Sequence, residues 1–229
     1  MLGLRVEEVD SYIGRSVSDP YGRRVGYIIG FYSDSDGNVT SLEVSIGDLE
    51  FKEIGVDRFE LNNGDIVLMP EWEYEAKLVE NRLERLRKRI VALNELYDKK
   101  EIPRHTYEEF KKKLEEDLFK TRETAKRVKE VLKKRLYDLD DTILELEKAM
   151  TSLKVSYLAG EIPEKAYKTA IDQVRKHMEF TQREKESVKK HLDKIETLER
   201  QPIDLGTRAR ESEEASEQEQ SLPVVVLET

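Results

Sequence analysis

The chain has 229 residues, of which 38% are hydrophobic and 39% charged, with three histidines and no cysteine. That balance is too polar for one compact globule of this length, and it excludes disulfides, thiolate metal sites and thiol nucleophiles. The net charge of −9 is unevenly spread, since residues 1–70 sum to −7, 71–200 to +3 and 201–229 to −5.

An acidic head and tail therefore flank a slightly basic middle. The acidic N-terminus carries no apolar signal core, which together with the missing cysteines predicts a cytoplasmic protein. The longest purely apolar run, Val224 to Leu227, is far short of the ~20 residues that cross a bilayer, so membrane association is expected to be peripheral.

In the head, taken as residues 1–70, a leader at residues 4–9 precedes short segments with strand periodicity. Residues 25–32 alternate Val25, Tyr27, Ile29 and Phe31 with Gly26, Ile28 and Gly30. Residues 41–46 place Leu42, Val44 and Ile46 on one face, and 51–54 and 66–69 supply further strands. Asp19-Pro20-Tyr21-Gly22, Asp34-Ser35-Asp36-Gly37 and Asn62-Asn63-Gly64-Asp65 have turn chemistry, because Asn, Asp and Gly accept the positive φ of tight hairpins. Asp34, Asp36 and Asn38 begin like a calcium loop, but Val39 stands where glycine is required and Ser45 where the bidentate Glu belongs, so a hairpin is predicted. Short strands at this spacing predict a small antiparallel barrel that hides its edges by closing. Trp72 and Tyr74 are read as the packing between head and helices.

Ile13-Gly14-Arg15-Ser16-Val17, Asp19 to Gly22, Val25-Gly26-Tyr27-Ile28, Asp36-Gly37-Asn38-Val39 and Leu42-Glu43-Val44 resemble the PRC-barrel family. The resemblance implies a docking module and names no activity.

Residues 71–200 read as three helices, about 72–99, 104–157 and 164–200. Val79, Leu83, Leu86, Ile90, Leu93 and Tyr97 form a heptad seam. The second helix continues it through Phe110, Leu114, Leu118, Thr121, Ala125, Val128, Leu132, Leu136, Leu139, Ile143, Leu146, Met150, Leu153 and Tyr157. The third carries Tyr167, Ile171, Val174, Met178, Thr181, Lys185, Val188, His191 or Leu192, and Ile195. Two turns repeat at an offset of 60 residues: Tyr97, Glu101-Ile102-Pro103 and Tyr107, then Tyr157, Glu161-Ile162-Pro163 and Tyr167. The prolines suit helix starts and the tyrosines close each turn. Folding about these turns predicts antiparallel coiled-coil hairpins whose outer helices meet near residues 125–133. The seam of such a two-stranded rod is narrow, so self-association into a homo-oligomer or filament is expected.

Arg82, Arg85, Arg87, Lys88 and Arg89, with Lys126, Arg127, Lys129, Lys133, Lys134 and Arg135, would lie near one another in that hairpin and could meet phosphates of DNA or anionic lipid. A solvated face balanced by neighbouring glutamates is the simpler reading. His177 and His191 stand 14 positions apart on one helix and His105 belongs to another turn, so no metal site is predicted. No nucleophile and base constellation or phosphate-cradling loop is present, and neither enzyme activity nor a cofactor is expected.

Residues 201–221, rich in Glu, Ser and Gln, read as an acidic flexible linker. They lead to Leu222, Pro223, Val224, Val225, Val226 and Leu227, a strand-forming motif at residues 222–229 with no strand beside it in sequence. Such a segment adds to a partner's sheet edge, with Pro223 at its start. Docking on the chain's own head is the competing reading.

A PRC-like barrel, coiled coil with two Glu-Ile-Pro turns, acidic linker and terminal apolar strand, in that order, resemble the CdvA family of archaeal cell-division proteins. The resemblance covers essentially the whole chain. It implies a non-enzymatic scaffold that assembles at the membrane division site. It also implies that residues Leu222 through Leu227 recruit the ESCRT-III-like protein CdvB by completing an incomplete winged-helix domain. Two other classes fit parts of the sequence: a DNA-organising coiled coil fits the basic middle, and an RNA-processing factor fits the barrel.

Overall fold

The computed structural model describes residues 4–47, 50–62 and 64–200. The described chain divides into two compact units, residues 4–78 with 126–195 and residues 79–125 with 196–200. The fold is α+β, as the alternating strands and long heptads predict.

The first unit opens with a short helix α1 (Val6–Val9) and a 3-10 turn. Six strands follow: β1 (Ser16–Ser18), β2 (Arg24–Ser33), β3 (Val39–Ile46), β4 (Glu50–Gly55), β5 (Phe59–Asn62) and β6 (Asp65–Leu68). They form one sheet in the order β4-β3-β2-β1-β6-β5. The expected small antiparallel barrel head is present as a half-barrel sheet, antiparallel except at one pair. β1 and β6 pair in parallel through Ser18 and Val67, and the order ends at β4 and β5, giving a half-barrel. Parallel neighbours need a crossover, which the β2 to β5 chain supplies. β1 and β5, three and four residues long, are the strands that the periodicity reading does not include.

Core packing explains the strand patterns. Leu42 and Val44 are buried together with Val9, Val17, Ile28, Phe59 and Ile66. On β2 the large residues point outward: Tyr27 and Ile29 are exposed while Ile28 is buried. A register irregularity between Ile28 and Gly30 then lets Phe31 turn back against the core. Gly26 is demanded by sheet geometry, since a Cβ there would lie 1.8 Å from the Ser45 carbonyl oxygen. The Asp34 turn is a hairpin, its carboxylate accepting from the Asp36 and Asn38 amides and the Asn38 side chain. That side-chain bond from Asn38 holds the Asp34 carboxyl below its usual range.

Three helices complete the described chain: α2 (Glu71–Asp98), α3 (Arg104–Leu158) and α4 (Glu164–Arg200). Within the first unit, α3 and α4 form a hairpin. Val128, Leu132 and Leu139 face Thr181, Val188 and Ile195 as buried positions. Toward the turn, Ile143, Leu146, Met150 and Leu153 are only half-buried, as expected where two helices share a narrow seam. The second unit holds the α2 and α3 hairpin, with Val79, Leu83, Leu86 and Ile90 buried, as are Leu114, Leu118 and Ala125. Phe110, assigned to the seam by its spacing, is 52% exposed.

Both repeated turns have one construction. Lys100 and Gly160 adopt positive φ, and each donates to the tyrosine carbonyl three residues back, Tyr97 at 2.9 Å and Tyr157 at 3.0 Å. The next residues, Glu101 and Glu161, donate to Leu96 and Ser156. These paired bonds are a Schellman motif, which satisfies the last carbonyls of a helix. Pro103 and Pro163 then start the following helix by accepting from the Tyr107 and Tyr167 amides. Tyr97 stacks on Tyr107 at 4.2 Å and Tyr157 on Tyr167 at 4.4 Å between ring centroids.

Candidate functional site

A buried polar network of the first unit lies where the half-barrel meets its helices. The turn after β1 is built on Asp19, which accepts the Tyr21 and Arg23 amides at 3.0 and 2.8 Å. Gly22 holds a φ of +98, and a Cβ on it would sit 3.2 Å from the Phe180 ring of α4. So braced, Arg23 spreads its guanidinium between Asp19, at 2.6 Å through Nε, and Glu184 of α4. Arg135 of α3 donates to the other Glu184 oxygen at 2.7 Å. Glu184 is 1% exposed and each of its oxygens is met by one arginine.

Alternating charge makes this burial tolerable, because a buried carboxylate costs several kcal/mol unless paired and hydrogen-bonded, on the order of magnitude known for buried ion pairs. Burial opposes the charge on Arg23, yet Glu184 and then Asp19 hold its guanidinium above its ordinary range. Beside it, Tyr21 donates from its hydroxyl to Glu73 at 2.8 Å. Burial, with Glu73 adding to it, pushes the Tyr21 phenol well above its usual range. Trp72 is 8% exposed, stacks parallel to Tyr21 and meets His191 edge-on. Tyr74 reaches Asp57. Trp72 and Tyr74 thus join the head to the helices as their position predicts.

A cleft of about 810 Å³ borders this network, lined by β4 on one side and by Trp72, Arg135 and Glu184 on the other. Within it Arg23 and Arg135 are paired by Glu184, Glu53 accepts from the Ser41 hydroxyl at 2.6 Å, and Arg58 donates to the Met69 carbonyl at 2.9 Å. Its chemistry suits docking. Among the described residues no group of three His, Cys, Asp or Glu could hold a metal ion. No described helix is long and apolar enough to cross a membrane.

Glu184 is the residue that heptad reading misses. The spacing assigns Lys185 to the seam, whereas Glu184 occupies it between Thr181 and Val188, and Lys185 turns aside to Asp140. The signal lies in the 3 and 4 spacing, which Glu184 satisfies as well as Lys185 does, but a carboxylate is not expected inside without its arginines.

The predicted basic residues fall in both units. In the second, Arg82, Arg85, Lys88 and Arg89 are exposed, and Arg87 donates to the Leu198 carbonyl at 2.6 Å. A groove of about 340 Å³ gathers Arg82, Arg85 and Arg89 with Asp117, Lys120 and Thr121; Lys120 was not singled out from sequence. In the first unit Lys126, Arg127, Lys133 and Lys134 are exposed and Lys129 is half-buried, while Arg135 is committed to Glu184. The residues Leu222, Pro223, Val224, Val225, Val226 and Leu227 lie outside the described residues.

The family model of the CdvA-like coiled-coil domain matches residues 71–220. Cell division protein A of Sulfolobus acidocaldarius is 35% identical over 233 residues, covering 98% of this chain and 98% of that protein. The chain belongs to the CdvA family.

Proposed function

We propose that this member of the CdvA family is a non-enzymatic scaffold of cell division, which self-assembles at the membrane and recruits an ESCRT-III-like protein, CdvB, through its C-terminal segment. The observation that carries the reading is the end-to-end match with a protein named for cell division. Because that match runs over head, helices and tail alike, the role belongs to the whole chain. Residues 222–227 supply the recruiting strand: the main chain pairs with a sheet edge and alternate side chains fill pockets. The half-barrel offers docking surface, the helical hairpins offer faces for assembly, and peripheral attachment places the scaffold at the division site on the cytoplasmic side.

The test is a pull-down of the ESCRT-III-like partner by the full chain and by a chain ending at Ser221. Loss of capture on truncation, with helix content unchanged, supports the reading; equal capture by both sinks it.

A second reading, binding of DNA, has one observation in its favour, the groove that brings Arg82, Arg85 and Arg89 beside Lys120. Phosphate contacts by these four would give a log-log salt slope of about −3 to −4 for duplex DNA. Replacing all four by Gln should flatten that slope, and an unchanged slope would remove the groove from consideration.

A further inference from the structure

The cleft beside β4 has a property that the ion network does not use. Four consecutive residues, Phe51, Lys52, Glu53 and Ile54, line it. Successive side chains of a strand point to opposite faces, so a cavity touching all four runs along the strand's edge. β4 pairs with β3 from Ser41 and Gly55 to Ile46 and Glu50. It ends the sheet order, so among the described residues its other edge has no strand partner. A row of unpaired backbone donors and acceptors accompanies such an edge. Phe51 on it is 62% exposed.

The walls select the occupant. Val25, Ile46, Leu68 and Trp72 give apolar surface, and the four basic and four acidic side chains around the cleft balance. An extended, uncharged, apolar segment fits such a lining, whereas a polyanion or a strongly acidic peptide does not. Between β4 and the helix residues Trp72, Arg135 and Glu184 the cleft holds about 810 Å³.

We propose that the β4 edge cleft receives this chain's own segment Leu222 to Leu227 as an added strand, storing it on the head until a partner takes it. Those six residues are uncharged, and Val224, Val225 and Val226 favour the extended conformation. Reach is satisfied by the chain itself. Glu184, on the cleft wall, and Arg200, the last residue of α4, stand sixteen positions apart, which is about 24 Å of helix. The sequence puts 21 residues between Arg200 and Leu222, and a flexible linker of that length would have a root-mean-square span of about 25 Å. Effective concentration is greatest when linker and span match in this way, and is in the millimolar range for short linkers.

The proposal rests on the strand-forming role given to the segment above, and its test separates the two. Amide hydrogen exchange is measured on the full chain and on the chain ending at Ser221. Residues 51–54 should exchange about tenfold or more slowly in the full chain, equally at low and high protein concentration. Val224→Asp with Val226→Asp, which keeps the tail's length, should abolish that protection, and a synthetic peptide of residues 221–229 at millimolar concentration should restore it to the shortened chain. Emission of Trp72 should change in parallel. Identical exchange in the two chains overturns the proposal, and protection that grows with concentration overturns the assignment to the chain's own tail in favour of a second copy. Pull-down of the ESCRT-III-like partner with the same chains identifies which idea failed. Capture that depends on the tail without β4 protection removes the storage site alone, and protection without capture removes the recruiting role alone.

Discussion

Arg23 and Glu184, 161 residues apart in sequence, are hydrogen-bonded and ion-paired in the first unit. Their pairing couples a turn of the half-barrel to α4. Arg135 holds the second oxygen of the same carboxylate at 2.7 Å, so one buried acid ties together three elements. Glu184→Ala should destabilise the fold by about 2–3 kcal/mol. That is below the 3–5 kcal/mol typical of breaking a fully buried pair, because both arginines keep contact with water. Glu184→Gln should cost less, as it keeps shape and one acceptor. Urea unfolding followed by far-UV circular dichroism measures both, and a wild-type midpoint in the alanine variant would refute the coupling.

Gly26 and Gly14 offer a matched comparison. A methyl group on Gly26 would meet the Ser45 carbonyl at 1.8 Å, whereas Gly14, at a φ of +80, has nothing within 4 Å. Gly26→Ala should therefore cost about 3 kcal/mol or more by forcing β2 away from β3. Gly14→Ala should cost about 1 kcal/mol, the penalty of a left-handed backbone with a Cβ. Equal effects on the thermal midpoint would contradict the register of Gly26 with Ile46.

The tyrosine pairs that close the two helical turns make a symmetrical prediction. Tyr157 and Tyr167 stack with an interplanar angle of 11°, and Tyr97 and Tyr107 with one of 22°. A double-mutant cycle to Leu at either pair should return a coupling of about 0.5–1.5 kcal/mol. Zero coupling at both turns would reduce the stacks to ordinary contact.

Tyr21 gives a pH dependence. Burial raises its phenol above the ordinary value of 10.0, so the folded state favours the neutral form. The stability this contributes is fully present below pH 10 and is lost as pH rises above it, because the unfolded phenol ionises first. Tyr21→Phe also loses the hydrogen bond to Glu73, worth about 1 kcal/mol. The stability gap between wild type and Tyr21→Phe should therefore narrow above pH 10, as measured by urea unfolding at a series of pH values. A gap constant through the alkaline range would place Tyr21 in water.

The sequence by itself determined the long helices, their breaks and the construction of both turns. These features are local: a proline cannot continue a helix, a tyrosine ten positions away can close over the turn, and heptads mark the face that must be covered. The hairpins of the head were legible for the same reason, since Asp34 and Gly37 make their turn with near neighbours alone. So was the family, because its mark is the order of parts along the chain. The tertiary structure alone decided the rest. Glu184 is buried because Arg23 and Arg135 arrive from distant elements to neutralise it, and no window around residue 184 contains them. Tyr27 and Ile29 face outward because the register of β2 against β3 puts Ile28 inside. The parallel neighbours β1 and β6 and the unpaired edge of β4 follow from how the whole sheet is threaded. That edge, with the apolar wall beside it, makes the expected barrel a half-barrel bordered by a cleft.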